Sequence, residues 1–116
     1  MTLKRLQPGK RMSQGVARND IVYLAGQVAE TKAGAPVAEQ TKEILAQIDK
    51  LLAEAGTDKT KIMMATIYLA DIKTFADMNL AWDAWVVEGF TPARATVEAK
   101  LVAPEYKVEI AVVASI

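Results

Sequence analysis

The chain has 116 residues, so it is expected to form one domain spanning residues 1–116, with a small core. Apolar residues make up 52% of it, slightly more than in an ordinary globular chain, which suggests burial beyond the monomer. Fourteen basic and fourteen acidic residues cancel, and there is neither cysteine nor histidine. This balance gives little support to nucleic acid or an anionic membrane as partner. It also removes disulfides, thiolate nucleophiles, Cys or His zinc sites and imidazole bases.

Chemistry is therefore left to carboxylates, Arg, Lys, hydroxyls and backbone groups. No acidic cluster has metal-ligand spacing and no Gly-rich phosphate loop occurs, so neither metal nor cofactor is expected. No apolar run reaches the roughly 18–20 residues that span a bilayer. The first fifteen residues lack the apolar centre of a signal peptide, so a soluble cytoplasmic protein is the expectation.

In chain order, Lys4, Arg5, Lys10 and Arg11 read as a solvated strand edge. Residues 10–28 read as two short strands around the turn pair Asn19-Asp20, the second running from Ile21 to Val28. Gly26 near its end signals a bulge or a close backbone approach. Pro36 opens a helix with Ile44, Ile48, Leu51, Leu52 and Ala55 on one side. Gly56 caps its C-terminus. The run from Lys61 to Asp71 reads as a buried strand, with Met63 and Met64 in the core.

Thr74 and Asp77 resemble a capping box for a second helix. That helix carries Phe75, Met78, Trp82, Trp85 and Val86 on one stripe and is expected to end at Gly89. Asn79 shares the stripe, as a buried amide bonding a loop backbone or as a ligand contact. Residues 92–101 alternate strictly, with Ala93, Ala95, Val97, Ala99 and Leu101 on one face and Arg94, Thr96, Glu98 and Lys100 on the other. Glu98 and Lys100 read as solvated. After a turn at Pro104-Glu105, the last strand loses its polar face beyond Glu109 and is expected to be central.

The pattern is α+β: a mixed sheet with two helices on one face. The other face needs a cover, and a neighbouring subunit would supply it. Arg94 and Glu109 are the charges set among apolar strand positions. Each is read either as functional or as part of an interface salt bridge or plain surface.

"PARATV" followed by "VEI", with the Arg94-to-Glu109 spacing ungapped, resembles the signature of the RidA family of enamine/imine deaminases, also called YjgF-like proteins. "YLAGQV" and "TIYLADIKTFADMNLAWDAWV" resemble further segments of that family, so the similarity runs from about residue 11 onward. The resemblance implies a chorismate-mutase-like fold in a homotrimer, with the sheets forming an inner barrel and clefts between subunits. It implies hydrolysis of 2-imino or 2-enamino acids, such as 2-aminoacrylate or 2-iminobutanoate, to 2-oxo acids and ammonia. Arg94 would bind the substrate carboxylate and Glu109 would position or activate a water. Gly26, Gln27, Thr96 and Met12 would line the substrate site, with backbone groups near Gly26 and Thr96 helping to hold the ligand.

Two positions depart from the family pattern. Met12 stands where many deaminating members have an aromatic residue, usually tyrosine, and Thr96 where many have cysteine. The alternative reading is a trimeric protein that binds small carboxylates without turning them over, and the loss of the aromatic at Met12 favours it. RNA cleavage, attributed to some family members, finds little support in a neutral chain without histidine.

Overall fold

In the computed structural model, which describes residues 2–116, eight regular elements form one sheet and its cover. Strands β1 (Lys4–Pro8), β2 (Ser13–Arg18) and β3 (Ile21–Leu24) precede helix α1 (Val37–Ala55). Strand β4 (Ile62–Leu69), helix α2 (Phe75–Trp85), β5 (Ala93–Glu98) and β6 (Val108–Ser115) follow. The sheet order is β1-β2-β3-β6-β4-β5. All pairs are antiparallel except β4 with β5. A parallel pair needs a long crossover, and α2 supplies it. The basic N-terminal strand lies on one edge and β5 on the other, while β6 is central as its apolar second half requires.

Helix α1 falls where the sequence places it. Pro36 stands at the N-cap of α1 with φ −57°, and Gly56 closes the helix in the left-handed region at φ 86°. There its N–H reaches the Ala53 carbonyl. Ile44, Leu45, Ile48 and Leu52 pack against Val22, Ile67, Leu69, Val108 and Ile110 from the sheet. Truncating any of these leucines or isoleucines to alanine costs about 2–5 kcal/mol. Gln40 is fully buried in α1. Its amide donates to the carbonyls of Ala35 and Glu105 and accepts from the Lys107 N–H, tying the helix to the loop that enters β6.

Several boundaries differ from the sequence reading. β3 stops at Leu24, and the chain rejoins the sheet only at Gln27, which exchanges both backbone hydrogen bonds with Ile110. β5 is shorter than 92–101. α2 ends at Trp85, where Val86 turns extended, and Gly89 sits in the following turn at φ 85°. Thr74 does not cap α2 through its side chain: its hydroxyl donates to the Asp71 carbonyl within the 3-10 turn Ile72–Thr74, which supplies the helix entry. Met63 and Met64 are exposed rather than core, because the helices cover one sheet face only and the register shifts between Ile62 and Met64.

The uncovered face is largely apolar. Cross-strand register sets Val16, Tyr23, Val113, Met64 and Ala93 in one row across it, and Ala111, Thr66 and Ala95 in the next. Tyr23 is 57% exposed and Val97 44%.

The loop before α1 is held by Glu43, whose carboxylate accepts from the N–H groups of Thr31 and Lys32. Burial alone raises the Glu43 pKa. The bonds from Thr31 and Lys32 and the Lys32 charge outweigh it and hold the carboxyl below the ordinary glutamate range. With the folded value below the unfolded one, this stabilisation is complete above the ordinary glutamate pKa. It is lost as pH falls through the folded value. Glu43→Gln should therefore lower stability at neutral pH by about 1 kcal/mol or less. Urea unfolding across a pH series should show that deficit vanish on acidification, and a pH-independent deficit would contradict the assignment.

Candidate functional site

Strand alternation decides where the two candidate charges go. Arg94 pairs with Ala65 of β4, and Ala65 with Val112 of β6. Glu109 pairs with Tyr68, and Tyr68 with Val97. Ala65 and Tyr68 are three residues apart on one strand, so they point to opposite sides. Arg94 lies on the face that the helices cover and Glu109 on the open face. Within one chain the structure does not bring them together, and no salt bridge joins them.

Arg94 is half-buried beneath α2. Its Nη1 donates to the Asn79 Oδ1 at 2.8 Å. The guanidinium carbon lies 5.2 Å from the Trp82 ring centroid and 5.6 Å from that of Phe75. Such contacts are worth about 0.5–2 kcal/mol each, and they fix the plane of the guanidinium. Asn79 thus bonds no loop backbone; its Oδ1 accepts from the arginine. Among the described residues no carboxylate pairs with Arg94. The result is an oriented planar cation with donors to spare at the sheet edge, the arrangement that receives a carboxylate bidentately.

Thr96, two residues along the same face, has its hydroxyl closed off from solvent without a hydrogen-bond partner. β5 is an edge strand with one hydrogen-bonding side paired to β4 and the other free.

Glu109 lies beside Gly26. A Cβ on Gly26 would come within 2.1 Å of the Glu109 Oε2. The close approach signalled by this glycine is to the carboxylate. Gln27 faces the other way and is occupied. Its amide donates to Gln14 Oε1 and the Ala25 carbonyl, and its Oε1 accepts from Gln47. It braces the Gly26 turn from beneath. Met12 is half-exposed between β1 and β2, with its carbonyl accepting from the Gly9 N–H.

The single chain thus presents two half-sites. One is the Arg94 fork with Asn79, Phe75 and Trp82 at the β5 edge; the other is the Glu109 carboxylate with Gly26 on the open face. A polar cavity of about 180 Å³ is lined by Gln14, Gln27 and Gln47, and by neither Arg94 nor Glu109. Sequence reading missed the roles of Phe75 and Trp82. Their helical spacing to Asn79 was the available signal.

The family model described as endoribonuclease L-PSP matches residues 2–116. The chain belongs to that family, the YjgF-like group whose motifs Arg94 and Glu109 carry. A RutC family protein of Haemophilus influenzae is 49% identical over 99% of both chains. The RutC family protein YoaB of Escherichia coli K12 is 47% identical over the full length of both. A crystal structure of a YjgF-family protein from Neisseria meningitidis superposes with a TM-score of 0.95 at 46% identity, covering 99% of this chain and 95% of that one. The six-stranded mixed sheet with two helices is the fold of that family.

The Gly26–Glu109 approach can be tested directly. Gly26→Ala should displace the Glu109 carboxylate and destabilise the chain by about 1 kcal/mol or less, because the clash falls on the movable end of that side chain. Adding Glu109→Ala should recover much of the loss. Denaturant unfolding of both single variants and the double variant should show a coupling of about 0.5–1 kcal/mol, and strict additivity would contradict the contact.

Proposed function

We propose that the protein hydrolyses small 2-imino and 2-enamino acids to 2-oxo acids and ammonia, at sites completed between subunits of a homotrimer. The observation that carries this reading is Arg94, a guanidinium held flat by Asn79 and two aromatic rings with no carboxylate of its own. A 2-imino acid offers one carboxylate for that fork. The apolar open face and the free β5 edge support assembly, because burying them would carry the Glu109 face of one copy towards the Arg94 edge of another.

In such a cleft Arg94 takes the substrate carboxylate and leaves C2 facing a water beside Glu109. The carboxylate draws a proton from the water as its oxygen adds to C2. Glu109 returns that proton to the imine nitrogen, and the hydroxyl proton of the resulting carbinolamine follows by the same route, so the C–N bond breaks as ammonia leaves and the carbonyl forms. A 2-enamino acid enters after tautomerising to its imine, C3 gaining the proton that nitrogen loses. Imines hydrolyse unaided in water, so positioning and one proton acceptor supply the acceleration needed, each tenfold requiring about 1.4 kcal/mol. The chain's own side chains suffice for this chemistry, and it suits a protein of the cytoplasm where reactive enamines arise.

A second reading is a binder of small carboxylates that uses the same Arg94 without turnover. The half-exposed Met12 favours it, since it offers neither a hydroxyl nor a flat ring to a ligand. RNA cleavage, the activity named in the family's description, has weaker support. The chain carries no histidine and no net positive charge.

Generating 2-iminobutanoate in situ and following 2-oxobutanoate formation separates these readings. Arg94→Ala should abolish acceleration, and Arg94→Lys should be poor, because a point charge replaces the fork. Glu109→Gln should keep much of the affinity for 2-oxobutanoate while slowing turnover roughly 10²–10⁴-fold. Binding without acceleration by the unaltered protein would establish the second reading.

A further inference from the structure

Glu98, which reads as solvated surface in the sequence, has a defined partner. Its Oε2 accepts from the Ile72 N–H at 3.0 Å. Ile72 opens the 3-10 turn Ile72–Thr74 that runs directly into α2. An opening N–H of such a turn has no partner inside it, and the carboxylate supplies one.

The place of this bond matters because Glu98 and Arg94 lie four residues apart on β5, hence on the same face and about 13 Å apart. The helix segment meets both. Ile72 contacts the strand at Glu98, and seven residues later Asn79 contacts it at Arg94. Helix numbers rise as strand numbers fall, so α2 lies antiparallel along β5 and is fastened to it at two rungs. Phe75 and Trp82, which flank the guanidinium, lie on the same helix. Asp71 and Thr74 bond only within the turn, Asp71 to the Lys73 N–H and Thr74 to the Asp71 carbonyl, so they shape it without attaching it to β5.

We propose that Glu98 is a positioning residue for the Arg94 carboxylate receptor: by anchoring the entry of α2 to β5, it sets the helix register at which Asn79, Phe75 and Trp82 hold the guanidinium. The consequence for turnover rests on the deaminase reading above; the consequence for Arg94 itself does not. Glu98 acts as a hydrogen-bond acceptor, not as a charge. Over some 13 Å at the surface its field at Arg94 is largely screened.

The acceptor and charge roles separate in two variants. Glu98→Gln keeps an oxygen for the Ile72 N–H, and Glu98→Ala removes it. The first readout needs no activity: the side-chain ¹⁵Nη signals of Arg94 by NMR, assigned by their loss in Arg94→Ala. They should report a held guanidinium in the unaltered protein and in Glu98→Gln, and averaged rotation in Glu98→Ala. The second readout is kinetic. Glu98→Ala should raise KM for 2-iminobutanoate about 5–20-fold with kcat changed less than threefold, and Glu98→Gln should restore KM, as expected when binding energy alone is lost. Unchanged Arg94 signals in a folded Glu98→Ala protein would overturn the proposal. So would equal damage in both variants, which would make Glu98 a charge. Failure of the unaltered protein to process imines would sink the deaminase reading and leave the NMR test standing.

Discussion

A β-strand sends successive side chains to opposite faces, and that alternation constrains everything proposed for this chain. Two helices cover one face of the sheet and leave the other bare. β6 delivers Val108, Ile110 and Val112 to the covered face and is bound to deliver Glu109 to the bare one. β5 delivers Arg94 to the covered face, at an edge where α2 can grip it and solvent can still reach it. The two charges that the proposed chemistry uses are thereby separated by the sheet itself. No side-chain rotation brings them together, so a site that uses both must draw them from different copies.

The apolar odd positions of β5 take their meaning from the same constraint. In the sequence, Ala93, Ala95 and Val97 look like the buried face of a strand and Arg94 and Thr96 like its wet face. The structure inverts this for the single chain. The apolar set is exposed and the polar set lies under a helix. The inversion is resolved if the apolar face is buried by another subunit, which is also what an apolar fraction above the ordinary suggests.

Much of this was legible beforehand, and the failures are instructive. The period of α1, its proline entry and its glycine exit carried enough signal to place both ends. The centrality of β6 followed from the loss of polar positions after Glu109. Gly26 signalled a close approach, and only the partner was missing. Met63 and Met64 were misplaced because an apolar side chain looks the same in sequence whether a helix or another subunit covers it. Gly89 reads as a helix end because a glycine after an apolar stripe fits a cap, yet Val86 has already left the helix. Glu98 was read as surface because a carboxylate that caps a distant turn leaves no local pattern. The bond spans 26 residues.

The central claim, that each site takes its arginine from one copy and its glutamate from another, has a direct test. Arg94→Ala and Glu109→Gln chains, each nearly inactive alone, are unfolded together, refolded as a mixture and assayed for 2-iminobutanoate hydrolysis. Random assembly of a cyclic trimer should leave about a quarter of the clefts with both residues intact, restoring about a quarter of the full rate. A mixture no more active than its two components, with mixed oligomers verified by mass spectrometry, would contradict the shared site.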